Sequence, residues 1–370
     1  MTSLTVGILG LLFFLGFANG TNDVSKGIAT LSGSGLATPG RAMVWGTGWT
    51  VLGSLCGIVW GSSVLHTIIG SAPSGEATLP EGARLSLMVS TAGWVVLSSV
   101  RGWPVSTTHA IAGSLLGATA VTSGGSVEAW EPMTRTILLP LLLSPVVAGI
   151  LTSAVVRIFP ETDLTTSGED RKICLLPRHS GLVDIAGETV ALKAGQSCTV
   201  CPVDSQYAAG HVGFRIGIRR IHWGSGALLS FARGLNDTPK FVAVTLLAIP
   251  TGTSISTPWL FLLAATAIGT GSLLGGGRVT RVLGSELAVI DPYRGLLANA
   301  VSSLLVVGAS PLGVPVSTTH VAAGAILGSA AGRGIVWKTV RTMAGAWLVT
   351  VPVSALGAGL LEITLQGILR

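Results

Sequence analysis

Two short stretches place acids and amides inside otherwise apolar sequence. They are Asn22-Asp23 and Asn236-Asp237, and a lysine follows each acid three residues on, Lys26 and Lys240. A carboxylate at membrane depth is costly and is usually kept for a substrate or an ion. The amides of Asn22 and Asn236 add donors and acceptors beside it. A second pair of stretches, Pro104-Val-Ser-Thr-Thr-His109 and Pro315-Val-Ser-Thr-Thr-His320, supplies hydroxyls from Ser106, Thr107 and Thr108 and from Ser317, Thr318 and Thr319. Hydroxyls at a helix start, with the free N–H groups of the first turn, make a ready anion site. Ordinary helix capping would use one hydroxyl of the three. The combined chemistry is that of a partly protonated oxyanion: carboxylates accept from its hydroxyl, and hydroxyls and N–H groups hold its remaining oxygens.

Other residues in these stretches are less determined. His109 and His320 are expected to bond a neighbouring carbonyl more readily than a ligand. Arg233, just before the second Asn-Asp, is either an anion partner or a charge at the membrane interface. Lys26 and Lys240 lie on the same helix face as their acids. Each could pair with the carboxylate, and could pass a proton, because burial lowers the pKa of an ammonium. The preferred reading has both lysines reach the inner surface one helical turn away and leave the acids free.

The elements that must carry these groups follow from composition. Of 370 residues, 49% are hydrophobic and only 10% charged, against about 25% charged in a soluble domain. Mean hydropathy is +0.70. Disorder is excluded by the long apolar runs. A nucleic-acid partner is excluded because the net charge of +6 is spread thinly rather than gathered on one face. A β-barrel would alternate over about ten residues, whereas these runs are continuous. The expected fold is an all-α polytopic membrane protein seated in the lipid bilayer. Five apolar segments lie on each side of a charged stretch, residues 160–221, which holds 14 of the chain's 38 charged residues. The expected organisation is a membrane repeat over 1–159, a cytoplasmic loop or small soluble insert with a β-hairpin or two over 160–221, and a second membrane repeat over 222–370.

The two apolar blocks are copies of one another. Phe17-Ala-Asn-Gly-Thr-Asn-Asp-Val-Ser-Lys26 returns as Phe231-Ala-Arg-Gly-Leu-Asn-Asp-Thr-Pro-Lys240 at an offset of 214, and the Pro-Val-Ser-Thr-Thr-His stretch returns at 211. Basic residues favour the cytoplasmic side. With the N-terminus outside, Arg41, the charged stretch, Arg278, Arg281, Arg294, Arg333, Lys338 and Arg341 all fall inside. The outer loops, 70–83 and 123–133, then carry Glu76, Glu81, Glu128 and Glu131 and no Lys or Arg. Five segments per half make the repeats inverted, and inverted repeats place their site at the midplane between them. Residues 84–122 are either two full spans or a re-entrant hairpin. The hairpin is favoured, because Pro followed by Ser-Thr-Thr opens a helix, with Pro in its first turn.

The paired Gly-x-Asn-Asp and Pro-Val-Ser-Thr-Thr-His motifs closely resemble those of the inorganic phosphate transporter (PiT) family, and the resemblance covers both apolar blocks. It implies secondary import of inorganic phosphate coupled to Na⁺ or H⁺ through broken or hairpin helices, with no cofactor beyond the co-transported cation. It implies that Asn22, Asp23, Asn236, Asp237, Ser106 to Thr108 and Ser317 to Thr319 build the substrate and ion sites. Lys26 and Lys240 depart from the small residues of many members. The cell membrane is the expected location, and a homo-oligomer is compatible with such a fold. Neutralising Asp23 or Asp237 to Asn is expected to abolish transport and leave folding intact.

Three alternatives fit parts of the same pattern. A sulfate permease of the same fold is disfavoured because a carboxylate repels a fully deprotonated oxyanion. An ion channel could line a filter with the same acids and hydroxyls. An intramembrane hydrolase needs a single nucleophile, whereas the motif is duplicated and no Gly-x-Ser-x-Gly elbow is present; no enzyme is expected. Cys174, Cys198 and Cys201 form a weak metal-binding pattern, read as reduced thiols because a second Cys-x-x-Cys is missing.

Overall fold

Where the apolar runs begin and end is decided by a few capping residues. Thr2 accepts from Thr5 N at 3.3 Å and opens α1 (Ser3–Gly33). Pro39 stands in the first turn of α2 (Pro39–Trp60), and α3 (Ser62–Gly70) continues after Gly61. The computed structural model describes residues 2–71, 79–123, 131–159, 172–175, 181–185, 188–192, 214–250, 252–331 and 333–369. The first half continues with α4 (Glu81–Arg101), α5 (Thr107–Ser123), the single turn α6 (Glu131–Met133) and α7 (Leu139–Ile158), the last two joined by a π-helical stretch, Thr134–Leu138.

Four short strands follow, β1 (Lys172–Leu175), β2 (Gly181–Ile185), β3 (Glu188–Leu192) and β4 (Phe214–Gly217). β2 and β3 form an antiparallel hairpin, and β1 pairs antiparallel with β4. The second half comprises α8 (Ile218–Ala248), α9 (Thr257–Gly275), α10 (Gly277–Arg281), a π-helical stretch Val282–Glu286, α11 (Pro292–Ala309), α12 (Thr318–Ser329) and α13 (Trp337–Leu369).

Among the described residues, six helical stretches are long and apolar enough to cross a membrane: α1, α2, α4, Thr134–Ile158, α9 and Trp337–Ile368. Many of their large apolar side chains face outward, among them Leu142, Val146 and Ile150 of α7 and Leu348, Leu356 and Leu360 of α13. In water such a surface would aggregate; in lipid it is the solvated face. The chain is a multi-pass membrane protein of almost wholly helical build.

The duplicated sequence yields duplicated structure. Each half has one hairpin whose tip carries Pro-Val-Ser-Thr-Thr-His. Both hairpins turn on a left-handed glycine, Gly102 at φ +74° and Gly313 at φ +67°. Glycine populates that region without the steric penalty a Cβ brings. The same two hydrogen bonds close each turn: Gly102 N to Ser99 O (3.0 Å) with Trp103 N to Ser98 O (2.8 Å), and Gly313 N to Ser310 O (3.1 Å) with Val314 N to Ala309 O (3.1 Å). After the turn the backbone is extended through the proline. Ser106 and Ser317 then cap the next helices by accepting from His109 N (3.2 Å) and His320 N (3.3 Å). Pro104 and Pro315 therefore lie two residues before the cap, not in the first turn as the sequence suggested. Each proline holds the approach extended and prevents the incoming helix from continuing. α12 has 12 residues, about 18 Å at 1.5 Å per residue, too short for a hydrocarbon core of about 30 Å.

The halves interlock by exchanging partners. α1 packs on α9 as α8 packs on α2, and α5 packs on α13 as α12 packs on α7. These contacts are close enough to need glycine. A Cβ on Gly53 of α2 would stand 2.0 Å from Phe231 O, and one on Gly271 of α9 would stand 2.0 Å from Phe17 O. Phe17 and Phe231 occupy the same place in the two repeats. Small residues that let backbones approach are the main means of packing helices in lipid.

Candidate functional site

The repeated polar residues converge in the interior where α1, α8 and the two hairpin tips meet. Asp23, Lys26, Arg233, Asp237 and Lys240 are each at most 4% exposed. On α1, Asn22 reaches the tip of the first hairpin: Nδ2 donates to Trp103 O (2.9 Å) and Ser99 Oγ (3.2 Å), and Oδ1 accepts from Val105 N (3.3 Å). On α8, Asn236 Nδ2 donates to Val316 O (3.1 Å) of the second tip. Each amide thus fastens a long helix to its own repeat's broken hairpin.

The carboxylates are paired. Lys26 Nζ donates to Asp23 Oδ1 and to both oxygens of Asn22, backbone and side chain, at 3.2 Å each. Lys240 Nζ donates to Asp237 Oδ1 (3.0 Å), to Val316 O (2.9 Å) and to Thr108 Oγ1 (2.9 Å). Contrary to the preferred sequence reading, the lysines do not reach the inner surface; both are buried. Lys26 finds its oxygens on its own helix, from Asn22 and Asp23, while tertiary packing brings Val316 O and Thr108 Oγ1 to Lys240.

The hydroxyls divide their work. Ser106 and Ser317 cap. Thr107 Oγ1 accepts from Asn19 Nδ2 (3.0 Å), which also donates to Asp23 Oδ2 (2.9 Å). Thr318 Oγ1 lies 3.5 Å from Asp237 Oδ2, and Thr319 Oγ1 donates across the repeats to Val105 O (2.8 Å). His109 and His320 meet edge to face with ring centroids 4.6 Å apart, so the two helix starts touch at the centre. His320 Nδ1 also lies 3.2 Å from Leu141 O, the carbonyl contact expected of it, and its ring meets that of Trp347 at a tilt of 59° with centroids 4.0 Å apart.

Arg233 is not interfacial. It is buried, with Nη2 3.4 Å from Ser272 Oγ, and neither Nε nor Nη1 has a hydrogen-bond partner among the described residues. Buried guanidinium donors without acceptors are costly, and an anion is the natural acceptor for them. Two residues were missed from sequence. Asn19 bridges Asp23 to Thr107, and Ser99 accepts from both Thr21 and Asn22. The repeat held a signal for the first, since Asn19 occupies the position of Arg233. Among the described residues no cluster of His, Cys, Asp and Glu could hold a metal. Cys198 and Cys201, and the side chain of Cys174, lie outside the described residues.

The arrangement therefore joins two carboxylates, three cationic groups, hydroxyls from both hairpins and two helix N-termini in one buried centre. Residues 19–358 match the phosphate transporter family. The chain belongs to that family. A Rhizobium meliloti protein named as a low-affinity inorganic phosphate transporter is 25% identical over 361 residues, covering 95% of this chain and 94% of the relative. A Bacillus subtilis protein of the same name is 25% identical over 370 residues, covering 96% and 95%. A solved structure described as the sodium-dependent phosphate transporter superposes with a TM-score of 0.76 over 99% of this chain and 100% of that one, at 20% identity. Membership puts the chain among phosphate transporters.

Proposed function

We propose that this chain imports inorganic phosphate across the cell membrane, coupled to a cation gradient, by alternating access. The observation that carries the reading is the meeting of the two Ser-Thr-Thr helix starts, with His109 against His320 at 4.6 Å and hydrogen bonds crossing from Lys240 to Thr108 and from Thr319 to Val105. The N–H groups of Thr107, Thr108, Thr318 and Thr319 are first-turn donors with no carbonyl to bond within their own helices. Both sets point the positive end of a helix at one centre. A phosphate there takes donors from Ser106–Thr108 and Ser317–Thr319 together, and Arg233 supplies a further charged donor. Asp23 or Asp237 accepts from the phosphate hydroxyl. Sulfate has no such proton near neutral pH and would leave the carboxylate facing an oxygen.

The two repeats, 1–159 and 222–370, are read as inverted about this centre, with the N-terminus outside and the insert 160–221 cytoplasmic. Rocking one repeat against the other exposes the site to each side in turn. The structural neighbour's name supports Na⁺ as coupling ion; the filled cation positions of this chain favour H⁺. The test is uptake of radiolabelled phosphate into proteoliposomes, with Na⁺ and pH gradients imposed separately and sulfate as competitor. Saturable phosphate uptake that excess sulfate leaves unchanged is the expected result. Equal competition by sulfate, or ohmic currents in place of saturable flux, would refute it.

A further inference from the structure

Each lysine of the site is held as a metal cation would be. Lys26 Nζ faces a backbone carbonyl and an amide oxygen of Asn22, both at 3.2 Å, and the carboxylate of Asp23. Lys240 Nζ faces the Asp237 carboxylate at 3.0 Å, the Val316 carbonyl at 2.9 Å and the Thr108 hydroxyl at 2.9 Å. Carboxylate, carbonyl and hydroxyl or amide oxygen are the donors that hard cations take. The lysine–aspartate pair recurs at one position of the repeat, with different oxygens completing each shell; both pairs are buried, and each carboxylate already faces a positive charge that the chain carries itself. Arg233 adds a third cation to the same centre. A Na⁺ seeking either carboxylate would stand beside an ammonium, and like charges at that spacing repel strongly where water is excluded.

We propose that Lys26 and Lys240 are tethered cations occupying the two cation positions of the site, so that this chain moves phosphate without Na⁺. The inference rests on the reading of the centre as a phosphate site, and it separates this chain from the structural neighbour, whose name makes it sodium-dependent. A mobile coupling cation must enter and leave with the substrate. A tethered one stays, supplies its charge in every state of the cycle, and leaves the proton as the coupling ion.

The experiment uses the purified full-length chain. Phosphate uptake into proteoliposomes is compared in Na⁺, K⁺ and N-methylglucamine at matched pH and ionic strength. Binding of radiolabelled Na⁺ to the protein in detergent is measured separately. The expected result is equal uptake in the three cations and no saturable Na⁺ binding. A loss of about tenfold or more in uptake on removing Na⁺, equivalent to about 1.4 kcal/mol of coupling, or saturable Na⁺ binding by the wild-type protein, would overturn the proposal. If no phosphate enters in any cation, the phosphate reading has failed, and the binding measurement still decides the tethered-cation claim by itself. Lys26→Asn with Lys240→Asn replaces each ammonium by an amide oxygen and should create saturable Na⁺ binding. A monodisperse variant that binds no Na⁺ shows that these are not cation positions; a variant that does not fold leaves the decision to the wild-type measurements.

Discussion

Replacing Asp23 by Asn is the most informative single change, and the structure gives its size. The sequence alone suggested that neutralisation keeps the shape and spares the fold. Asp23 is instead one partner of an ion pair in which Lys26 is 0% exposed and Asp23 2%. Removing one member of a buried pair costs about 3–5 kcal/mol, because the survivor is left charged and uncompensated. Lys26 keeps two hydrogen bonds to Asn22, which places Asp23→Asn at the low end, about 3 kcal/mol. For a chain of 370 residues that corresponds to a fall in melting temperature of roughly 4 °C. Adding Lys26→Met removes the orphaned charge, and replacing both members of such a pair by neutral groups is often near neutral. The double variant should therefore recover most of the lost stability, a coupling of about 3 kcal/mol, and still not transport phosphate. Thermal unfolding in detergent, followed by the fluorescence of the ten tryptophans, reads the first quantity, and proteoliposome uptake reads the second. If Asp23→Asn alone melts with the wild type, the pair is solvated and the argument from burial fails.

Three further outcomes follow from the geometry. Gly53→Ala and Gly271→Ala each drive a Cβ to 2.0 Å from a phenylalanine carbonyl of the other repeat, and each should cost about 1–3 kcal/mol of overpacking; Gly48→Ala, which meets nothing within 4 Å, should be silent, and a large difference between the first two would refute the equivalence of the repeats. Arg233→Met should raise the KM for phosphate uptake about tenfold or more, the worth of a hydrogen bond to a charged group, and Arg233→Lys should restore part of it; an unchanged KM takes the guanidinium out of the site. Thr108→Val removes the hydroxyl that Lys240 meets at 2.9 Å and should lower unfolding stability by about 1.5–3 kcal/mol, and identical melting curves would show that the crossing bond carries no weight.

The duplicated motifs were legible because polar residues are rare inside apolar runs, so Asn22, Asp23 and the Ser-Thr-Thr triplets stand out, and their return at nearly constant offset fixes the architecture. The hairpins were legible because Pro104 and Pro315 interrupt helices that their neighbours would otherwise continue. The direction of Lys26 and Lys240 was not legible. A lysine three residues beyond an acid can face that acid or the membrane surface, and helix geometry allows both. For Lys240 the choice is made by Thr108 and Val316, 132 and 76 residues away in the chain, and no local pattern encodes that. Asn19 escaped for a related reason: an asparagine within a helix is ordinary, and its role exists only once Thr107 arrives 88 residues later.

The repeats are alike in backbone and unlike in charge, and the difference bears on the cycle. At the position where the first half has Asn19, the second has Arg233, so the centre holds three cationic side chains against two carboxylates. The surplus charge belongs to the second repeat. The lysines differ too. Lys26 makes its hydrogen bonds within its own repeat, to Asn22 and Asp23, whereas Lys240 reaches across to Thr108 of the first. Thr319, from the second repeat, likewise crosses at the site, to Val105. If the repeats rock against each other, the Lys26 shell travels intact with one body, while the crossing bonds must break or be remade. Those bonds join the two repeats at the centre, and on the proposed reading an arriving phosphate replaces what is lost, because it offers acceptors to the same Lys240 and Thr319 donors. Substrate binding and release of the crossing contacts are then one event, which ties movement of the repeats to an occupied site.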